Sequence, residues 1–168
     1  TPNNDNIVGT TSDDVIDGGL GKDAINGGAG NDIIYGNAGD DTLTGDAGND
    51  KLYGGDGNDG FFGGGGDDVI YGGTGSNTMF GDAGNDTFHV DLSGVNTITG
   101  GAGIDTVVID FLASDLTQAV RDDLASLKSW MAFPAAMAGN SLTFNALHLK
   151  LTTTESVVVT VDGVERSI

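Results

Sequence analysis

The sequence predicts an all-β domain. Residues 1–108 form a solenoid of short stacked strands, and residues 109–168 form a small C-terminal capping segment of one helix and short strands. Three observations lead there. A nine-residue unit, G-G-x-G-x-D-x-U-x with U a large apolar residue, recurs from Gly9 to Val108. An acidic column and an apolar column keep phase through it. Glycine fills the repeats, yet beyond Val108 only Gly139 and Gly163 remain.

Units start at Gly9, Gly18, Gly27, Gly36, Gly45, Gly54, Gly63, Gly72 and Gly81 without a slip. One extra residue, Val90, intrudes, and the frame resumes at Asp91 and Gly100. The sixth position reads Asp14, Asp23, Asp32, Asp41, Asp50, Asp59, Asp68, Asn77, Asp86, Asn96, Asp105. The eighth reads Ile16, Ile25, Ile34, Leu43, Leu52, Phe61, Ile70, Met79, Phe88, Ile98, Val107. Asp5 and Ile7 hold the same columns ahead of them, so residues 1–8 read as an N-terminal cap. The G-G-x-G-x-D half of each unit reads as a turn, because repeated glycine permits positive φ and close backbone approach. The rest, as in Asp32-Ile33-Ile34-Tyr35, reads as a three-residue strand with its middle side chain on one face. Such a strand is unstable alone, and stacking on its neighbours stabilises it.

The net charge is −19 over 168 residues, and every acid except Glu155 and Glu165 is Asp. Nucleic acid is excluded as a partner, since phosphate contacts need basic patches; an anionic membrane is disfavoured for the same reason. The acids recur at fixed phase beside glycine and not as a run, which points to cation ligands over a solvated acidic tract. With no Cys there is no disulfide framework, and no apolar run is long enough to span a membrane. The chain begins without Met or a signal peptide and reads as part of a larger parent polypeptide.

These units, clearest in Gly54-Gly55-Asp56-Gly57-Asn58-Asp59, resemble the calcium-binding nonapeptides of the RTX (repeats-in-toxin) family over roughly residues 1–108. The resemblance implies a right-handed parallel β-roll, with two nonapeptides per coil and calcium between successive loops. It also implies a secreted, extracellular protein. Family members are bacterial toxins, proteases, lipases and adhesins, exported unfolded by type I systems and folded outside, some at the cell surface.

On that winding each strand pairs with the unit two steps on, about 4.8 Å away, and the eighth positions of two sheets meet in a thin core. One edge then carries Asp23, Asp41, Asp59, Asn77 and Asn96; the other carries Asp14, Asp32, Asp50, Asp68, Asp86 and Asp105. An Asp can give one oxygen to the ion above and one to the ion below. Turn carbonyls of Gly27, Gly28, Gly30, Gly36, Gly39, Gly45, Gly48, Gly54, Gly55, Gly57, Gly63, Gly64, Gly66, Gly72, Gly73, Gly75, Gly81 and Gly84 would complete an all-oxygen shell. Calcium takes six to eight oxygens at roughly 2.3–2.6 Å in irregular geometry, whereas magnesium demands an octahedron and zinc prefers His or Cys. Roughly six to nine Ca2+ ions are expected. The Asn77/Asn96 site should be weak or empty and the Asp59/Asn77 site weakened, because Asn has one carbonyl oxygen and no charge. The Asp86/Asp105 site must accommodate Val90, and Ile104 there replaces a polar loop residue. Asp13, Asp40 and Asp67 at the fifth position are expected to be solvated surface charges. Asp56 to Gly60 superficially resembles an EF-hand loop but lacks its twelfth-position acid.

Outward positions hold Tyr35, Tyr53, Tyr71 and His89 on one sheet, and Phe62 and Phe80 on the other. Cross-strand packing or cover by the C-terminal segment is the expectation, with a docking surface for glycan or protein as the alternative. In the C-terminal segment, Leu116, Val120, Leu124, Leu127 and Met131 fall on one face of a helix over about 115–132. Ser114 or Asp115 caps it and Pro134 ends it. It suits a lid over the open end of the roll more than a secretion signal. Ser141–Asn145 and Leu147–Thr152 read as strands, with His148 on the surface. Val157–Val161 and Val164–Ile168 read as a hairpin about Asp162-Gly163.

No catalytic constellation emerges. There is no nucleophile elbow and no phosphate-binding loop opening a helix, so no enzymatic activity is expected. The expected function is a calcium-binding module that folds on binding several Ca2+ ions outside the cell. The alternative is a structural module of a large adhesin or surface-layer protein, binding glycan or a neighbouring protein through its aromatic ladders. Ice binding is disfavoured, because the third position reads Ala29, Ala38, Ala47, Asp56, Gly65 and not a Thr/Asn ladder.

Overall fold

A computed structural model of the chain describes residues 3–91 and 93–111, Asp122, Ala125, and strands at 141–144, 149–152, 156–161 and 164–166. Twelve strands build a parallel solenoid of about six coils. They are β1 (Asn6–Val8), β2 (Val15–Leu20), β3 (Ala24–Ala29), β4 (Ile33–Ala38), β5 (Thr42–Ala47), β6 (Lys51–Asp56), β7 (Gly60–Gly65), β8 (Val69–Thr74), β9 (Thr78–Ala83), β10 (Thr87–Val90), β11 (Asn96–Ala102) and β12 (Thr106–Phe111). Odd strands form one sheet and even strands the other. Pairing is parallel, with Ile34 opposite Leu52 and Leu43 opposite Phe61. One coil is therefore two nonapeptides.

Most strands are six residues long, twice the length the motif suggests. They run from the seventh position through the third position of the next unit, so half of the glycine-rich segment is strand and not turn. The reason is stacking. Gly55 lies opposite Asn37 on one side and Gly73 on the other, so the backbone ladder continues past the apolar residue. The second position bends with positive φ, 105° at Gly55. Asn37, Asp46 and Asp82 make the same bend at φ 75°, 72° and 69°, residue types that tolerate the left-handed region. Asn37 Nδ2 donates to Asp17 Oδ1, and Asn26 Nδ2 to Asp46 Oδ2, both at 2.8 Å, which ties these bends to the adjoining coil.

The whole eighth column from Ile16 to Val107 is buried. It is a core one side chain wide on each strand, as the period-2 alternation of a strand requires. Val90 does not interrupt it. It ends β10 opposite Ile109, and both are buried, an added apolar rung where earlier units place their first glycine. The turn that follows absorbs the extra residue, and pairing shifts by one, so that Phe88 meets Val107 and Met79 meets Ile98.

Four further strands extend the two sheets: β13 (Ser141–Phe144), β14 (Leu149–Thr152), β15 (Ser156–Val161) and β16 (Val164–Arg166). β14 adds parallel to β11, and β15 parallel to β12. β13 and β16 then pair antiparallel with β14 and β15. Asp122 and Ala125 are helical and exposed; the rest of the helix expected over 115–132 lies outside the described residues, as does His148. Among the described residues no helix is long and apolar enough to cross a membrane.

The outward aromatic residues stack. Ring centroids lie 4.9 Å apart for Tyr35–Tyr53, 4.6 Å for Tyr53–Tyr71, 4.4 Å for Tyr71–His89 and 5.3 Å for Phe62–Phe80, with planes within 17° of parallel. Each interior ring covers the faces of its neighbours.

Leu52 is fully buried at the middle of the core column. Leu52→Ala should lower stability by about 2–5 kcal/mol, the usual cost of an aliphatic truncation in a core that cannot collapse. Denaturant unfolding under fixed ionic conditions measures it, and Tyr53→Ala on the outer face should cost less.

Candidate functional site

The sixth-position carboxylates lie in two rows, one along each edge of the solenoid where the turns stack. Asp23, Asp32, Asp41, Asp50, Asp59, Asp68, Asp86 and Asp105 are all at most 2% exposed. Each uses one oxygen to join coils. Oδ1 of Asp41 accepts the Asp23 N–H at 2.7 Å, Oδ1 of Asp50 that of Asp32 at 2.7 Å, and Oδ1 of Asp68 that of Asp50 at 2.8 Å. The bond repeats every 18 residues, and at 19 where Asp105 takes the Asp86 N–H. The second oxygen is different. Oδ2 of Asp23, Asp32, Asp41, Asp50, Asp59, Asp68 and Asp86 is buried and accepts no hydrogen bond. A buried carboxylate oxygen without a partner is costly.

What surrounds these oxygens is carbonyl. A Cβ at Gly36 would meet both Asp41 Oδ2 and the Gly54 carbonyl. The same pairing recurs at Gly45 with Asp50 and Gly63, at Gly54 with Asp59 and Gly72, at Gly63 with Asp68 and Gly81, and at Gly81 with Asp86 and Gly100. First-position glycine therefore keeps open a pocket that a methyl group would fill. Fourth-position glycines make the coils fit: Gly57, at φ 151°, has the Gly39 carbonyl where its Cβ would be, and Gly75 has that of Gly57. Gly28, Gly55, Gly64 and Gly73 at the second position meet the second-position carbonyl of the coil before in the same way, as do Gly30, Gly48, Gly66 and Gly84 at the fourth the coil-before turn. Gly18 and Gly100 join the arrangement, although they were not among the glycines expected to contribute carbonyls; both hold the first-position column that would have identified them.

Three members of the column depart from it. Asp14 is half-buried, and its Oδ2 accepts from Thr10 N at 2.6 Å and from the Thr10 hydroxyl, which no other unit has at that position, at 2.9 Å. Asn77 and Asn96 keep the inter-coil bond, accepting at Oδ1 from the N–H of Asp59 at 2.8 Å and of Asn77 at 3.2 Å. Their amide nitrogens occupy the place of the unpartnered oxygen.

The fifth position is not simple solvated surface. Asp13, Asp40 and Asp67 accept the N–H of Asn31, Asn58 and Asn85 in the next coil at 2.8, 2.9 and 2.8 Å. Asn31, Asn49, Asn58 and Asn85 accept in turn from Asn49, Asp67, Ser76 and Ile104. Two exposed Asx ladders thus fasten the turns. Their mark in the sequence is the run of Asp, Asn and Ser at the fifth position from Asn31 to Asn85, short side chains that carry an accepting oxygen.

The site's electrostatics follow from burial. Loss of water pushes the Asp59, Asp68 and Asp86 carboxyls up from 3.8 to about 6, about 7 and about 6. The backbone N–H on Oδ1 opposes this, and the carboxylates of adjoining coils add to it. Asp41 and Asp50 shift upward for the same leading reason. Among the described residues no three His, Cys, Asp or Glu side chains converge. A cation here would therefore be held by one or two carboxylates with turn carbonyls making up the shell. Anionic and carbonyl oxygen without nitrogen or sulfur is the donor set of a hard cation, and irregular oxygen geometry suits calcium over magnesium.

A family model described as the RTX calcium-binding nonapeptide repeat, in four copies, matches residues 1–34, 27–61, 35–70, 53–88 and 90–108. No curated protein matches the chain.

The raised carboxyls set a pH dependence. A group whose folded value lies above its unfolded value of 3.8 stabilises the fold below that value, and the stabilisation is lost as pH rises through about 6 to about 7. In chelator the chain should therefore be more structured at about pH 5 than at about pH 7.5. Cation affinity should rise over the same interval as protons leave. Far-UV circular dichroism and calcium binding measured across that range check both.

Proposed function

The chain belongs to the RTX calcium-binding nonapeptide repeat family, and from that premise we propose that it is a folding module switched by calcium outside the cell. The observation that carries this is the row of buried Asp Oδ2 atoms with no hydrogen bond, of which those of Asp23, Asp41, Asp50, Asp59, Asp68 and Asp86 lie beside a glycine carbonyl of the stacked turn. In this reading calcium lies between successive turns. Asp23, Asp32, Asp41, Asp50, Asp59, Asp68, Asp86 and Asp105 supply the charge, and first-, second- and fourth-position carbonyls fill the shell. Roughly six to nine ions would bind. The coils wind in the right-handed sense usual for parallel crossovers, and the C-terminal segment would cap the far end, where β14 and β15 add to the two sheets.

Binding then supplies the folding free energy. Without ions, the buried carboxylates repel and a core one side chain wide is not enough to offset them. Extracellular calcium modules bind at about 10⁻⁴–10⁻³ M, so the chain would be unfolded at cytosolic calcium and folded outside. RTX repeats are characteristic of secreted bacterial proteins, and export of an unfolded chain followed by folding outside fits this threshold. The parent polypeptide would supply any further activity. The stacked Tyr35, Tyr53, Tyr71 and His89 rings cover one another's faces, which supports a packing role for the ladder and not a platform on which sugars stack.

The test is a calcium titration of the whole chain followed by far-UV circular dichroism, with magnesium as control. A cooperative coil-to-β transition at about 10⁻⁴–10⁻³ M calcium and none with magnesium is expected. A fully folded chain in excess chelator at neutral pH would overturn the proposal.

A further inference from the structure

The two amides in the acid column do more than lack a charge. Asn77 Oδ1 is held by the Asp59 N–H at 2.8 Å. An N–H cannot donate to an amide NH2, so this bond fixes the orientation and turns Nδ2 toward the turn carbonyls. Nδ2 then donates to the Gly72 carbonyl at 3.2 Å and lies 3.5 Å from that of Gly73. Gly72 is the residue whose carbonyl, with Asp59 Oδ2, lines the pocket beside Gly54. One step on, Asn96 Oδ1 accepts the Asn77 N–H at 3.2 Å, and its Nδ2 donates to the Asp91 carbonyl at 3.3 Å. Both side chains are 1% exposed. In the Asp turns two acceptors, a carboxylate oxygen and a carbonyl, face each other. Here a donor meets the acceptor directly.

We propose that Asn77 and Asn96 close their turns with amide hydrogen bonds in place of a cation, so that this edge of the roll carries two adjoining rungs whose folding needs no calcium. The inference rests on the calcium-binding reading above and adds to it. The opposite edge, at Asp68, Asp86 and Asp105, keeps carboxylates at the same height, so the ions there are not matched across the roll. The substitution removes buried charge from one side and spares the chain an ion it would otherwise need.

The experiment counts bound calcium per chain by equilibrium dialysis and metal analysis at saturating calcium, for the wild type and for N77D/N96D. It also records the calcium midpoint of folding. The variant is expected to bind at least one more ion and to need more calcium to fold. A folded variant with an unchanged count would overturn the inference while leaving the calcium module standing. A wild type that binds no calcium would overturn both. If N77D/N96D does not fold, Asp59→Asn decides. An amide that replaces the ion should lower both the count and the calcium midpoint, whereas an amide that is merely a damaged ligand would raise the midpoint, and that result would sink the idea.

Discussion

The roll depends on a carboxylate that is buried before it has enough partners. Oδ1 of Asp23, Asp32, Asp41, Asp50, Asp59, Asp68 and Asp86 takes a backbone N–H from the preceding coil, as Asp59 takes that of Asp41 at 2.9 Å. That bond sets the stacking distance and the register. Oδ2 is buried with it and has no donor. Burial of an ionised group without a partner is strongly unfavourable, and the upward shifts at Asp59, Asp68 and Asp86 express this. The fold thus holds the carboxylates in the rows that align the coils, and charge on those rows opposes the fold; the proposed function has a cation neutralise it. On the proposed reading, folding and ion binding are then one equilibrium.

Other features of the chain follow from that stacking. Glycine at the first position leaves room for Oδ2 and a carbonyl, and glycine at the fourth lets coils approach until one turn's carbonyl touches the next turn's Cα. The fifth-position Asx ladders fasten the exposed side of the same turns, and the apolar column closes the inside. At the end of each ladder stand Val95 and Ile104. Their N–H groups donate to Ser76 and Asn85, so neither needs an accepting side chain.

The columns were legible because each position carries one chemistry at a constant period: Ile34, Leu43, Leu52 and Phe61 had to point inward together, and Asp32, Asp41, Asp50 and Asp59 had to share the turns. Strand length was not legible. Gly54-Gly55-Asp56 reads as a turn in isolation and becomes strand only because Gly55 has a Gly or Asn opposite it in the coils on either side. Val90 read as an intrusion for a related reason: its partner, Ile109, lies a coil away and outside the repeat frame. The fifth-position ladders were hidden by composition, since Asp13, Asp40 and Asp67 look like surface charge until the donors of the next coil are placed. The sequence shows Asn77 only as a ligand without charge, because its role as a donor to Gly72 depends on which way its amide is held.

The most direct measurement is anomalous X-ray diffraction from crystals of the chain grown in calcium. The account predicts two rows of ions along the turn edges, each within about 2.3–2.6 Å of an Asp Oδ2 and of glycine carbonyl oxygens, beside Asp23, Asp41, Asp50, Asp68 and Asp86. Ions confined to exposed acids such as Asp13, Asp17 or Asp46, with the buried Oδ2 rows left bare, would contradict it.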